Sequence, residues 1–215
     1  MTSIEPYDDP VFFERYQTMR QRGAGLNEDL EQPAIIRLLP SVADADVLDI
    51  GCGNGTLAWR FASLGARRVL GIDLSARMLT LAASRAQPRV RYCRASAETL
   101  ALAPECLDLV VSSLALHYVV GYGTLIRRIA GWLRPGGHLV YSIEHPICTA
   151  RDPMTGWVAA EGGTRTSQIT ADGRPCSSSA RRNREQHHAC SCPVSAIVLD
   201  ACPLNDCLGE LNEDR

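Results

Sequence analysis

The chain has 215 residues, of which 46% are hydrophobic and 21% charged, and its formal net charge is −2. This composition supports one globular core and excludes the strongly basic surface typical of proteins that bind nucleic acid or anionic membranes. The amino terminus has no basic region followed by an apolar core and a small-residue cleavage site, so we expect a cytoplasmic protein.

Two helices are predicted within residues 1–45, ahead of the first strand. Asp9 and Pro10 have the pattern of an N-cap followed by a first helical residue. An aromatic-rich stripe follows at helical spacing, and its members are Phe12, Phe13, Tyr16 and Met19. An apolar stripe of this kind has to pack against another part of the protein. A second, shorter helix over residues 33–39 is interpreted as scaffold.

An apolar run followed by alternating glycines begins the main fold. Residues 47–50 suit a parallel strand buried on both faces, and residues 51–55 read Gly-Cys-Gly-Asn-Gly. Glycines let the backbone turn sharply and approach a ligand closely. Residues 56–64 then have the apolar spacing of a helix, which Gly65 is placed to end.

A second strand is predicted over residues 69–72 and ends at Asp73. This acid stands where nucleotide-binding α/β folds carry the carboxylate that accepts both ribose hydroxyls. The dinucleotide fingerprint needs a glycine at position 56, which is Thr here. The motif is therefore GxGxG, and an NAD-dependent oxidoreductase is a distant alternative. The pattern favours a bound nucleoside.

With these motifs the sequence resembles the class I S-adenosylmethionine-dependent methyltransferases, over roughly three quarters of the chain. The first motif of that family is a strand, an acid and GxGxG, and the second is an acid that closes the next strand. Asp49 and Asp73 stand in those places. Residues 107–118 resemble the fourth strand of the family, and residues 133–142, with their Pro-Gly-Gly turn, resemble its fifth.

The resemblance implies S-adenosylmethionine as the cofactor. Asp49 and the glycines would frame its methionine end, Asp73 would bind the ribose, and residues 94–98 occupy the place of the adenine-contacting segment. The family usually has an acid where Ser96 stands, so we expect weaker cofactor binding. The expected cofactor contacts are Asp49, Gly51, Cys52, Gly53, Asn54, Gly55, Asp73, Leu74, Ser96, Ala97, Glu98 and Ser113.

Catalytic residues give a weaker signal, because an activated methyl donor mainly needs an aligned acceptor. A hydroxyl or protonated amine acceptor would also need a base. His145, His117 and Glu144 are the candidates at the carboxyl ends of strands, with His145 first. The alternative to a base is, for each histidine, a structural role in which hydrogen bonds hold the ring. The resemblance also implies that the aromatic stripe forms a lid over the cofactor and acceptor pocket, with Tyr7 and Tyr16 as the residues to test. The alternative is an extra helix that simply packs on the sheet.

The nine cysteines are an odd number, which argues against a disulfide framework. Four of them are dispersed through the predicted fold and are interpreted as small buried hydrophobic residues. They are Cys52, Cys93, Cys106 and Cys148. Although Cys52 lies between two motif glycines, we interpret it as structural filler and not as a nucleophile.

The end of the chain differs in composition, since all twelve aromatic residues lie at or before Trp157. The sixth and seventh strands of the family are not recognisable beyond it. Our hypothesis for residues 163–215 is an atypical tail, frameshifted or otherwise unrelated to the family. Its cluster of His187, His188, Cys190 and Cys192 offers zinc ligands but lacks the usual CxxC turn, so we predict no metal.

These features predict an α/β fold with a Rossmann-like, doubly wound, mostly parallel sheet, flanked by helices and incomplete at its carboxyl-terminal edge. Residues 1–45 form the helical lid or scaffold, 46–162 the cofactor-binding domain and 163–215 the tail. The apolar stretch 107–126 contains Asp108 and His117, which favour a strand and loop over a membrane helix.

The predicted function is methyl transfer to a small-molecule acceptor, without nucleic-acid or membrane partners. The alternative is a cofactor-binding remnant that lacks its acceptor half and does not catalyse. The oligomeric state stays open.

Overall fold

Five parallel strands form the centre of the fold. The computed structural model describes residues 6–21, 27–85, 87–143, 158–159 and 165–166. The strands are β1 (Asp46–Ile50), β2 (Arg68–Asp73), β3 (Val90–Arg94), β4 (Leu107–Ser113) and β5 (Leu133–Ser142). Their order in the sheet is β3-β2-β1-β4-β5 and every pairing is parallel. The chain thus reverses its direction of travel across the sheet between β1 and β4, where open α/β sheets bind ligands. The predicted Rossmann-like sheet is confirmed.

Helices cover both faces of this sheet. They are α1 (Pro10–Gln21), α2 (Gln32–Leu38), α3 (Thr56–Ser63), α4 (Ala76–Ala83) and α5 (Tyr122–Trp132). Residues of α2 and α3 join one buried cluster, and residues of α5 join the cluster on the opposite face. Three short turns complete the main fold: 3₁₀ turns at Pro6–Asp8 and Leu116–Tyr118, and a π-helical turn at Asn27–Glu31.

The predicted helices are present, with ends shifted by one residue. Asp9 caps α1, because its Oδ1 accepts a hydrogen bond of 2.8 Å from the backbone N of Phe12. Ile35 of α2 is fully buried. At the end of α3, Gly65 adopts a φ of 94°, a conformation that favours glycine and ends the helix as predicted.

Two details differ from the sequence-based expectations. The prediction that the dispersed cysteines are buried is wrong for Cys93, which is exposed because β3 is the outermost strand. The predicted Pro-Gly-Gly turn lies inside β5 as a bulge. The pairing with β4 shifts there, from Leu107 opposite Leu133 to Leu109 opposite His138.

A separate two-stranded antiparallel ladder pairs β6 (Val158–Ala159) with β7 (Arg165–Thr166). The rest of the predicted tail, with its histidine and cysteine cluster, lies outside the described residues, as does Cys148. Within the described part of the chain, no helix has both the length and the apolarity needed to cross a membrane.

A buried aspartate at the start of β1 ties together the amino-terminal edge of the sheet. The Asp46 side chain is 3% exposed and forms ion pairs with Arg67, Arg68 and Arg134. Arg68 binds both carboxylate oxygens, through Nε and Nη2, at 2.8 Å each. Hydrogen bonds from Arg68, and also from Arg67 and Arg134, hold the pKa of Asp46 far below its ordinary value.

Replacing Asp46 with Asn is expected to lower the free energy of unfolding at pH 7 by about 1–3 kcal/mol, because the arginines lose their shared carboxylate. The pKa of Asp46 is lower in the folded than in the unfolded chain, so its contribution is present at neutral pH. That contribution should be lost progressively as the pH falls below about 4.

Urea unfolding at pH 7 and at pH values below about 4 measures both effects. Asp44→Asn is the matched control, because Asp44 is exposed and joins no ion pair of the described residues. Equal stability of Asp46→Asn and the unmodified protein at pH 7 would contradict the role of Asp46.

Candidate functional site

The loop after β1 is built around glycines in the left-handed region, with φ of 72° at Gly51, 53° at Gly53 and 77° at Gly55. L side chains rarely adopt this conformation. At Gly51 a Cβ would also overlap the Cβ of Ala115, which follows β4. At Gly53, in contrast, a Cβ would meet no atom within 4 Å. The middle of the loop therefore faces open space.

Asp73, the last residue of β2, fastens this loop. Its Oδ2 accepts a hydrogen bond of 2.9 Å from Gly53 N, and its Oδ1 accepts one of 2.8 Å from Ser75 N. Burial raises the pKa of Asp73. A backbone hydrogen bond from Leu74 also favours the ionised carboxyl group, which keeps lone-pair capacity for further donors. The carboxylate is thus held in a fixed orientation and can accept hydrogen bonds from two neighbouring hydroxyl groups.

The segment after β3 lies beside Asp73, whose backbone oxygen accepts a hydrogen bond of 3.1 Å from Ala95 N. The Ser96 hydroxyl accepts one of 3.2 Å from Glu98 N, and Glu98 Oε1 accepts one of 3.3 Å from Gly121 N at the start of α5. Arg128 donates to the carbonyl oxygens of Ala97 and Glu98. These bonds hold the predicted adenine segment at the carboxyl edge of the sheet.

The other predicted loop residues lie at the same edge. Asn54 Oδ1 accepts a hydrogen bond of 2.7 Å from the Thr56 hydroxyl, at the start of α3. Leu74, directly after Asp73, is 43% exposed. Cys52 is buried, and burial raises the pKa of its thiol. A buried thiol that resists ionisation is a poor nucleophile, which agrees with its interpretation as filler.

Asp49 is enclosed in the core directly below the loop. It is 1% exposed, and its Oδ2 has no hydrogen-bond partner. A hydrogen bond from the backbone of Ala58 in α3 favours the ionised carboxyl. Burial opposes it and, together with the nearby Asp73 and Glu31 carboxyl groups, raises the pKa of Asp49 to about 7.

Glu31, which sequence reasoning missed, is a second buried acid at this edge. It ends the π-helical turn and is 1% exposed. Its Oε1 accepts a hydrogen bond of 2.8 Å from the hydroxyl of Ser113, at the end of β4, and another from the hydroxyl of Ser142, at the end of β5. Its Oε2 has no partner. The only sequence signal is an acid two residues before the helix predicted over residues 33–39.

The amino-terminal segment also lies against this edge. Tyr7 packs edge-on against Phe12 and Tyr16, with ring centroids 5.2 and 5.1 Å away. Its hydroxyl shares a hydrogen bond with Tyr118. Burial, and then the proximity of Tyr118 and Tyr16, raise the pKa of Tyr7, and the Asp73 carboxyl group adds to this effect.

The three candidate bases are only partly described. His117 is half-buried in the 3₁₀ turn after β4, and its ring centroid lies 4.1 Å from that of Tyr118. Glu144 and His145 come directly after Ile143, one residue beyond β5, and lie outside the described residues. The structure therefore brings His117 to the carboxyl edge and leaves the other two as predictions.

Known proteins resemble this chain in both sequence and fold. Residues 47–137 match the methyltransferase domain family. An uncharacterized protein of Haemophilus influenzae is 37% identical over 161 residues, which are 72% of this chain and 63% of that protein. An uncharacterized methyltransferase of Mycobacterium tuberculosis is 32% identical over 139 residues, which are 62% of this chain and 68% of that protein.

Among solved structures, an S-adenosylmethionine-dependent methyltransferase from Mesorhizobium loti superposes with a TM-score of 0.61 and 40% identity. The superposition covers 67% of this chain and 66% of that one. This chain belongs to the S-adenosylmethionine-dependent methyltransferase family. The methyltransferase spans just under two thirds of the Haemophilus protein and of the Mesorhizobium structure. The predicted family and its cofactor class are confirmed.

The carboxyl edge of this methyltransferase differs sharply from the opposite edge. A shallow cavity of about 500 Å³ lies at the amino-terminal edge, between Ser41, Arg67, Asp108 and Arg134. Its two arginines, Arg67 and Arg134, are already paired with Asp108. Among the described residues, no group of three or more His, Cys, Asp or Glu side chains is arranged to hold a metal ion.

Replacing Asp49 with Asn should stabilise the ligand-free protein more at pH 8 than at pH 5. The pKa of Asp49 is raised to about 7, so the folded chain holds the proton more tightly than the unfolded chain. Asp49 therefore destabilises the fold progressively as the pH rises from about 4 to about 7. The advantage of Asn should grow by roughly 1–3 kcal/mol between pH 5 and pH 8.

Chemical unfolding at several pH values tests this expectation. Asp29→Asn, at an exposed position of the π-helical turn, is the control and should show no such trend. Parallel pH profiles of Asp49→Asn and the unmodified protein would contradict the raised pKa.

Proposed function

We propose that this protein transfers the methyl group of S-adenosylmethionine to a small-molecule acceptor. The observation that carries the proposal is the geometry of Asp73. Its two oxygens are oriented by Gly53 N and Ser75 N, beside a loop whose middle glycine faces open space. The two hydroxyls of a ribose are neighbouring donors, and this oriented carboxylate has lone-pair capacity to accept them.

The remaining residues of the edge fit the other parts of the cofactor. We assign the adenine to residues 96–98, which are held beside Asp73 by the Ala95 hydrogen bond. We assign the methionine end to the glycine loop and to Asp49, whose buried Oδ2 lacks a hydrogen-bond donor. A ligand that brings donors to this oxygen removes the cost of leaving it unsatisfied. Leu74 and Ser113 complete the proposed set.

S-adenosylmethionine supplies an activated methyl group when it is bound, so the protein chiefly has to orient the acceptor and exclude water. We propose that the segment around Tyr7 is the lid. The Tyr7 hydroxyl shares a hydrogen bond with Tyr118, and the Asp73 carboxyl group is close enough to influence Tyr7 electrostatically. Asp8 anchors the segment, because its Oδ1 accepts a hydrogen bond of 2.6 Å from the Ser75 hydroxyl.

A base is needed only if the acceptor is a hydroxyl or a protonated amine. His117 lies at the carboxyl edge, next to Tyr118, and can take that role. His145 and Glu144 stay predictions for the same role. A small molecule is the proposed acceptor, since the net charge of −2 gives no attraction to nucleic acid.

Titration calorimetry with S-adenosylmethionine and S-adenosylhomocysteine tests the cofactor site. We expect binding by the unmodified protein and a loss of roughly 100-fold or more in Asp73→Ala, because hydrogen bonds from the cofactor to an ionised group are removed. Asp44→Asn, at the opposite edge, should bind normally. A folded, unmodified protein that binds neither compound would overturn the proposal.

Incubation with methyl-labelled S-adenosylmethionine and a panel of phenols, amines and carboxylic acids tests the transfer itself. A labelled product establishes the reaction. Tight cofactor binding without transfer to any member of the panel favours the non-catalytic remnant instead.

Gly53→Ala gives an independent test of the loop. The added methyl group points into open space, so the fold should lose only about 1 kcal/mol from the left-handed backbone. Cofactor binding should weaken because the methyl group occupies the cofactor's place. Gly136→Ala is the matched control: its φ is 81°, its Cβ also meets no atom within 4 Å, and it lies in the β5 bulge away from the site. Equal binding by the two variants would contradict the placement of the cofactor.

A further inference from the structure

Glu31 is a buried acid with one oxygen that no described residue satisfies. Its side chain belongs to a residue that is 1% exposed, and it takes part in no ion pair of the described residues. The hydroxyls of Ser113 and Ser142 both donate to Oε1, whereas Oε2 has no hydrogen-bond partner. Buried acceptors are nearly always satisfied in folded proteins, so Oε2 points to a donor that a ligand supplies.

The order of the strands puts Glu31 beyond the methionine end of the proposed cofactor. Along the sheet the order is β3-β2-β1-β4-β5. The adenine, ribose and methionine parts are assigned to the segments at the ends of β3, β2 and β1, in that order. Glu31 is held by the last residues of β4 and β5, which come next in the sheet. It is also close enough to Asp49 of β1 to influence that carboxyl group electrostatically.

Resting on the proposed function, we propose that Glu31 binds the methyl acceptor and that this acceptor is an amine. The methyl group leaves from sulfur, next to the methionine part, so the acceptor has to lie on the side of β1 where Glu31 is held. An amine has N–H donors for the orphan oxygen, whereas a carboxylate acceptor has none.

The charge of this edge also favours an amine over an anionic nucleophile. Glu31, Asp49 and Asp73 have no ion-pair partner among the residues that the structure describes. A phenolate, thiolate or carboxylate would bring a further negative charge to this group of acids and would be repelled. A neutral amine avoids this repulsion and becomes positively charged as it reacts.

The transfer step balances with a neutral amine. The nitrogen lone pair forms the bond to the methyl carbon, the bond from that carbon to sulfur breaks, and its electron pair stays on sulfur in S-adenosylhomocysteine. The positive charge moves from sulfur to nitrogen, and the extra proton later leaves the methylated product to water. A carboxylate fixed beside this nitrogen stabilises the charge as it develops. The two serine hydroxyls on Oε1 supply that fixed orientation.

Aromatic rings follow β4 on the same side of the sheet. Tyr118 ends the 3₁₀ turn Leu116–Tyr118 and shares a hydrogen bond with Tyr7. The faces of tyrosine rings attract cations. Tyr7 and Tyr118 are therefore the proposed aromatic walls of the acceptor site, and Glu31 is its acid.

Sinefungin tests the position of Glu31 without knowledge of the acceptor. This analogue of S-adenosylmethionine carries an amino group where the methyl group would be, whereas S-adenosylhomocysteine carries nothing there. Calorimetry on the unmodified protein should show sinefungin binding about 10-fold or more tightly than S-adenosylhomocysteine, because its extra ammonium group donates to Glu31. In Glu31→Gln the binding of sinefungin should weaken by roughly 10- to 100-fold, since the amide cannot replace the charge. Binding of S-adenosylhomocysteine should be unchanged, which also reports that the site is folded.

Other outcomes overturn the proposal in distinct ways. Equal affinity of the unmodified protein for the two compounds would exclude an acid at the transferred methyl group, without the need for a variant. Equal weakening of both compounds in Glu31→Gln would put Glu31 at a part that they share. If the unmodified protein binds neither compound, the proposed function itself fails. Asp29→Asn, on the same π-helical turn but exposed, is the control and should bind both compounds normally.

Methyl transfer to matched acceptors tests the amine assignment. With methyl-labelled S-adenosylmethionine, label should enter benzylamine in preference to benzyl alcohol and benzoate, and Glu31→Gln should lower the rate at least 10-fold. Label in the alcohol or the acid but not in the amine would overturn the assignment. Transfer to none of the compounds in a wider panel, which favours the non-catalytic remnant, would overturn it as well.

Discussion

The parallel alignment of the strands brings all their carboxyl ends to one edge of the sheet, and the two aspartates of β1 show how strongly this separates charge. Asp46 opens the strand among three arginines, which lower its pKa. Asp49, three residues later, is buried without a cation, and its pKa is raised to about 7. Two side chains of one type on one five-residue strand are thus driven in opposite directions by their surroundings.

This separation assigns different roles to the two edges. At the amino edge, Asp46 and Asp108 are already paired with arginines, so these contacts stabilise the fold and leave little for a ligand to gain. At the carboxyl edge, Glu31 and Asp49 retain unsatisfied oxygens. Each orphan oxygen costs the unliganded protein about 1–3 kcal/mol, which a ligand with suitable donors can recover. These unsatisfied oxygens therefore lower the free energy of unfolding of the unliganded protein, and they lie at the edge that carries the switch point and the glycine loop.

The local features of this fold could be read from the sequence because they depend on neighbouring residues. The strand before Gly51, the left-handed glycines and the acid closing β2 follow from apolar runs and turn residues a few positions apart. Glu31 could not be found this way, because its partners Ser113 and Ser142 lie 82 and 111 positions further along the chain. Only the folded sheet brings these residues together. The exposure of Cys93 has the same origin, since it depends on β3 being an outer strand.

Three consecutive residues at the end of β4 connect the two halves of the site. Ser113 donates its hydroxyl to Glu31, and Leu114 adopts a φ of 52°, which is strained for a leucine. That conformation is held by Ser142, whose hydroxyl oxygen accepts a hydrogen bond of 3.0 Å from Leu114 N. Ala115 then abuts Gly51, where no side chain has room. Ala115 therefore places the glycine loop against the residue two positions after Ser113, the serine whose hydroxyl holds Glu31.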